Sequence, residues 1–221
     1  MKSSVLSMLL LFGAFVTLLA VLPGSSAHPR SFKDKWKKIK DSVYHFFHPF
    51  TPMKSGPRYG ICSFEPNRTL TSGQLNIIGY ILFKQDEAKN KVKGFFSLDG
   101  FPKVTSVHAI HIHQFGDLTY GCKSTSKHFN PYNVKHPNHP GDFPNLETKH
   151  GKIRELLHNL RVTMYGPDSI LGLGIVLHEG KDDLGKGGNP ESLIHGNSGK
   201  ALACCTIAIS SGKSWEEMVP Q

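Results

Sequence analysis

Between Ala109 and Asp142 the chain concentrates five of its thirteen histidines, together with Asp117, Cys122 and Asp142. The stretch reads AIHIHQFGDLTYGCKSTSKHFNPYNVKHPNHPGD. Its opening, Val107 to Ile112, is β-branched and apolar and predicts a strand. Residues two apart on a strand share a face. Ile110 and Ile112 can therefore enter a core while His111 and His113 project together from the other side. Such a pair is commonplace on its own, but the segment after it is not. His128, His136, His139 and Asp142 lie in HFNPYNVKHPNHPGD, whose Pro, Gly and Asn content is that of a loop. Three histidines and one aspartate make the closed N/O set that zinc takes in a structural site. A merely His-rich loop on a basic protein explains neither this spacing nor the H-x-H before it.

A second apolar run, GLGIVLH, spans Gly172 to His178 and ends on a further histidine. It leads into EGKDDLGKGGN, a turn-rich loop carrying Asp182 and Asp183. The motifs HIHQFGD, GC, HFNP, HPNHPGD, VLHEGKDDLGKGGN, GN-x-G and LACC now stand in one order, from about Cys62 to Ile209. In that order they resemble the copper/zinc superoxide dismutase family, and its secreted, extracellular form more than the cytosolic one. The likeness covers some two-thirds of the chain.

The resemblance implies an all-β fold, an eight-stranded antiparallel Greek-key barrel (an immunoglobulin-like sandwich) with two long metal-binding loops. It implies copper held by His111, His113, His128 and His178. It implies zinc held by His128, His136, His139 and Asp142, with His128 as the bridge and the proton carrier. Asp182 matches a carboxylate that links His111 to His136 from outside the metals; such partners fix imidazole orientation and tautomer. The implied activity is that of an oxidoreductase, with superoxide or another small anion as substrate.

Four cysteines, Cys62, Cys122, Cys204 and Cys205, allow three pairings. Cys204 and Cys205 adjoin on an expected strand, face opposite sides and cannot easily bond each other. The resemblance implies Cys122–Cys204 and, by likeness to the extracellular form, Cys62–Cys205.

One position departs from the family. An arginine is expected just before Leu-Ala-Cys, above the copper, and GNSGKALAC places Ala201 there. Lys200 is one residue off and offers a mobile point charge in place of a planar fork. Leu193, Ile194 and His195 also stand where the family has polar or charged residues that guide the anion. Electrostatic focusing raises on-rates by roughly 10–1000-fold, so its loss would slow the enzyme without removing the metals.

The remaining sequence divides readily. Residues 1–27 read as a signal peptide, with Lys2, an apolar core and a small-residue cleavage site. The apolar run is short for a membrane span, and no other segment is long enough for one. The mature protein is expected to be secreted. Residues 28–57 form a basic extension ending in a linker. It holds seven Lys/Arg against Asp34 and Asp41, which is +5 of the +8 left once Lys2 is removed. Phe32, Trp36, Ile39, Val43, Phe46 and Phe47 recur at helical spacing behind an S-x-x-D cap at Ser31 and Asp34. A basic amphipathic helix over 31–47 suits a polyanion or membrane surface. Packing of its apolar stripe on the barrel, or on its copy in a homo-oligomer, is an equal reading. No nucleic-acid partner is expected. Residues 58–212 form the dismutase-like domain and 213–221 a tail. Strands are expected over 59–65, 74–85, 92–98, 107–114, 159–164, 171–178 and 201–210. Asn67-Arg68-Thr69 is an N-glycosylation sequon on a turn.

Three functions compete: an extracellular dismutase, at full rate or slowed at Ala201; a secreted dismutase-like protein that carries or stores copper or zinc with little or no activity; and a surface-binding protein that keeps the fold as a scaffold. The full ligand set favours the first over the third.

Overall fold

Apolar residues alternating with polar ones set the strands, and their inward faces meet in one core. The computed structural model describes residues 56–66, 75–86 and 91–220. The residues read as a signal peptide, the basic extension through residue 55 and the Asn67 sequon lie outside them. The strands are β1 (Arg58–Pro66), β2 (Ile78–Asp86), β3 (Lys91–Asp99), β4 (Val107–His108), β5 (Ile110–His113), β6 (Thr119–Cys122), β7 (Leu146–Glu147), β8 (Lys152–Leu160), β9 (Gly174–His178), β10 (Ala201–Thr206) and β11 (Ala208–Ser210). Among the described residues there are two short α-helices, α1 (Ser192–His195) and α2 (Lys213–Met218).

The main sheet has eight strands in the order β5-β9-β10-β1-β2-β3-β8, with β11 also pairing β1. Its pairings are antiparallel. The meander β1-β2-β3 is followed by long crossovers of the Greek-key kind, as expected. Ile81, Phe83, Phe96, Leu98, Ile110, Ile112, Ile175, Leu177, Ala203 and Cys205 bring five strands into one core. Phe96 packs edge-on against Phe83 and Phe143, with ring centroids 6.5 and 5.4 Å apart. Full burial of a side chain of this size stabilises by roughly 1.5–3 kcal/mol.

Strand positions differ from the expected ones at one edge. The expected strand over 159–164 is instead β8, Lys152–Leu160. Lys152, Arg154, Glu155 and His158 face solvent, and charge on an edge strand discourages pairing with other chains. It also hides the strand from an apolar pattern search. Val162 and Met164 are buried in the core, although they lie beyond the strand's end. A bulge opposite Val92 and Gly94 accommodates Asn159, whose φ is 55°. Two expected strands are interrupted. Ala109 turns its N–H to Gly180 O, and Ile207 turns its own to Leu173 O.

Adjacent cysteines on β10 face opposite ways. Cys205 lies in the core and is bonded to Cys62; Cys204 lies beside Val176 and is bonded to Cys122. The segment read as a tail contains α2, whose Trp215, with Val219 just beyond, packs on Leu82 and Phe95 across the outer face of the sheet. Among the described residues no helix is long and apolar enough to cross a membrane.

Candidate metal centre

Strand β5 is the platform. Ile110 and Ile112 fill the core, so His111 and His113 emerge on the opposite face. Both are buried, because two loops close over them, and His111 is wholly so. Each loop docks on β5 through its backbone. Phe129 donates its N–H to Ile112 O (2.8 Å) and packs on the core, which places His128 beside His113. Ile112 donates to Gly141 O (3.1 Å), which places Asp142 beside His111. A Cβ on Gly141 would stand 2.5 Å from Ile112 Cβ, so this approach requires glycine. Phe143 then anchors the loop between Phe83 and Phe96. His178 closes β9, held through its N–H to Ala109 O.

Three imidazole nitrogens converge on one carboxylate. Nδ1 of His128 stands 3.1 Å from Asp142 Oδ1, while Nδ1 of His136 and of His139 stand 2.9 and 3.0 Å from Oδ2. Ligands about 2.0–2.1 Å from a tetrahedral ion lie about 3.3 Å apart, so the cluster is close in size to such a shell. The His136 contact lacks hydrogen-bond geometry despite its length, and its Nδ1 is a buried atom without a hydrogen-bond partner. That arrangement suits a common metal ligand set better than a hydrogen bond.

A second group adjoins the first. His111, His128 and His178 bring ligand atoms within 4.8 Å of one another. His113 falls outside that radius but stands close, with its ring 5.0 Å from that of His128 and 5.8 Å from that of His178. Buried ring nitrogens without partners are His111 Nδ1, His113 Nε2, His128 Nε2 and His178 Nε2, one per residue. A buried polar atom left unpaired costs about 1–3 kcal/mol. Four such atoms on neighbouring rings suit a cation-binding site.

The other nitrogen of each ring is tied down from outside. His111 Nε2 and His136 Nε2 donate to the two oxygens of Asp182 (3.1 and 2.7 Å). His113 Nδ1 donates to Ser126 O (2.8 Å), His178 Nδ1 to Gly199 O (3.3 Å) and His139 Nε2 to Val134 O (3.1 Å). In His111, His113 and His178 this leaves the inward nitrogen without a protein partner. His128 is the exception: Nδ1 faces the Asp142 group, Nε2 faces the other, and no outer acceptor holds either.

Asp182 is itself clamped. Asn145 donates to its backbone oxygen and accepts from its N–H (2.8 and 2.7 Å). Gly196 passes over it with φ 67°, where a Cβ would lie 2.0 Å from Asp182 Oδ1. The backbone acceptors and Asn145 have no signature in the sequence, because nothing in a side-chain pattern reveals which carbonyl a loop will turn inward.

Electrostatics are set by burial. Burial, and the neighbouring imidazoles, push His113 down to about 3. Burial pushes His128 down to about 4 against the pull of Asp142. His178 falls well below the ordinary value for the same reasons. His136 goes the other way: burial opposes its charge, but Asp142 and Asp182 outweigh it and raise it to about 9. Burial would raise both carboxyls, yet their histidine partners hold Asp142 and Asp182 below the ordinary carboxylate range. Neutral imidazoles and ionised carboxylates are the forms that bind metal, so His136 alone of these must give up a proton to do so.

The fold and this pair of ligand groups, sharing one imidazole, define a dinuclear metalloprotein built on an antiparallel β scaffold. A family model described as copper/zinc superoxide dismutase matches residues 77–207. The extracellular copper-zinc superoxide dismutase of Homo sapiens is 43% identical over 196 residues, 86% of this chain and 82% of that one. That of Oryctolagus cuniculus is 41% identical over 213 residues, 90% and 87% of the two chains. That of Rattus norvegicus is 43% identical over 165 residues, 74% and 68% of the two chains. The chain belongs to the copper/zinc superoxide dismutase family, and it is a secreted member of it.

Proposed function

We propose that this protein is an extracellular copper/zinc superoxide dismutase that converts superoxide to dioxygen and hydrogen peroxide. The observation that carries the reading is the set of four buried, unpartnered ring nitrogens beside the Asp142 group, with His128 common to both. In this reading His111, His113, His128 and His178 hold copper, and His128, His136, His139 and Asp142 hold zinc. Imidazole suits both metals. Copper, when bound, supplies the one-electron redox chemistry; zinc has none of its own and orders the loop.

The chain's residues do the rest. Asp182 holds His111 and His136 with Nδ1 inward. His128 Nε2, which has no protein acceptor, takes up a proton and delivers it to the reduced product. Ala201 pairs directly with His178 at the start of β10 and brings no charge there. Lys200, in the bend just before β10, is exposed and has no charged partner in the ligand groups. The dismutase is accordingly slower than one with an arginine at this position. A metal carrier would not need the shared imidazole, so the enzyme reading is preferred.

Residues 1–27 serve as the secretion signal in this reading. The basic segment 31–47 binds a polyanionic or membrane surface, or pairs with a second copy; retention on an anionic resin against sedimentation of a truncated chain separates the two. The function itself is tested by metal analysis of the purified protein with direct measurement of superoxide decay. One copper and one zinc per chain with superoxide consumption is the expected result. Stoichiometric copper without consumption would replace the enzyme with the carrier.

A further inference from the structure

The zinc-side loop is tied to the scaffold on two flanks. On one, Asp182 holds His136, and Leu193 O accepts the His136 N–H (3.2 Å). On the other stands Arg161, just past the end of β8. Its Nη2 donates to Pro137 O (3.0 Å) and to His139 O (3.4 Å), bracketing the turn between two members of the Asp142 group.

Arg161 does this across open space. Clefts of about 330 and 520 Å³ lie against it, and both are also lined by Pro140 and Leu160. The loop and the strand end are not packed continuously there, so the guanidinium acts as a strut between them. The carbonyls it holds belong to residues 137 and 139, and the intervening Asn138 bonds within the loop, to Lys135 O. The His139 ring is otherwise held by Val134 O, which lies in the same loop. His139 is also tied to Asp142, whose Oδ2 accepts its N–H (3.2 Å) and whose N–H donates to its O (3.2 Å) on the β5 side; Arg161 is the contact that reaches the turn from the end of β8.

We propose that Arg161 is a positioning residue for zinc: it fixes the turn from Pro137 to His139 against the barrel and so keeps Nδ1 of His139 in place beside Asp142. The inference rests on the zinc assignment proposed above. One guanidinium NH2 directs its two hydrogens in a fixed plane at the two carbonyls, whereas an ammonium is a mobile point charge. Residues that orient a ligand from outside the metal shell typically change affinity by about 10–100-fold, and a partly exposed contact to backbone belongs near the lower end.

The test is the release of zinc from the full chain to a competing chelator, with R161Q, R161K and R154A compared to the parent. Arg154 lies on the same β8 and is bonded to Asp99 and to Leu98 O, away from the metal ligands, so its loss reports scaffold weakening alone. R161Q should release zinc about tenfold faster, R161K should recover part of that, and R154A should match the parent. Cobalt placed in the zinc site should show an altered visible band in R161Q and an unaltered one in R154A. Urea midpoints of the metal-free forms separate positioning from stability. Unchanged release in R161Q, or release that rises only in step with a lowered midpoint, overturns the proposal. A parent protein that binds no zinc overturns the zinc assignment instead.

Discussion

Asp182 accepts a hydrogen bond from Nε2 of His136 across 2.7 Å, and the two residues come from different loops, 46 positions apart. Its other oxygen serves His111. One ionised side chain therefore sets the tautomers of one histidine in each ligand group. Asp182→Asn would put an amide donor against one of two N–H groups. Zinc affinity should fall about 10–100-fold, with a smaller loss at the copper group. Chelator competition at neutral pH measures it. Affinity equal to the parent's would mean that the carboxylate is dispensable.

Proton uptake by the metal-free protein is governed by the same carboxylates. His136 is raised from 6.5 to about 9, so the stability it contributes is complete below pH 6.5 and is lost as pH rises through about 9. His113 and His128 are lowered to about 3 and about 4. Burial of these as neutral rings costs stability as pH falls from 6.5 toward those values. The metal-free fold should thus be most stable near neutral pH. Zinc must displace the His136 proton, so binding at neutral pH should release a proton and binding above about pH 9 should not. Calorimetry in two buffers of different ionisation heat reads the difference.

The bridges can be separated from the metals. Cys62–Cys205 and Cys122–Cys204 span 143 and 82 residues. On the chain-entropy account each stabilises by about 4–5 kcal/mol, less any residual order in the unfolded chain. Replacing Cys62 and Cys205 together by serine should lower the urea midpoint of the metal-free protein while leaving metal content intact, because that bridge sits in the core. Replacing Cys122 and Cys204 should also loosen the segment after β5. Hydrogen exchange at Leu118 to Thr125 should rise in the second variant and not in the first.

The proposed ligands stand out in the sequence because metal chemistry leaves few residue types to choose from. His111 and His113 show on a strand by period, and His128, His136, His139 and Asp142 by spacing. Their burial was not legible, since it depends on loops folding back over β5. Nor was β8, whose charged outer face masks a strand pattern in which Ile153 is the one fully inward side chain. Arg161 illustrates the limit most clearly. Its partners are backbone carbonyls, and an arginine near a strand end reads in sequence as a solvated charge.

In the proposed enzyme, Ala201 is the position expected to limit the rate. It pairs with His178 across β9 and β10, next to a bulge between Ala201 and Ala203. A side chain there is half-buried and neighbours the ligand group, while belonging to neither. Ala201→Arg should therefore leave copper and zinc content unchanged. It should raise the second-order rate constant for superoxide by about tenfold, the low end of electrostatic focusing. The gain should shrink as ionic strength rises, because salt screens exposed charge over roughly 10 Å at 0.1 M. Lys200→Ala is the control. Lys200 is exposed in the bend before β10, and its removal should change the rate little and leave the salt dependence nearly as it was. A marked drop would mean that Lys200 already guides the anion. If Ala201→Arg has no effect while copper stays bound, charge is not limiting. The exposed Leu193 and Ile194 of α1, 42% and 54% accessible, would then be the next residues to replace, with the polar side chains that superoxide is better able to pass.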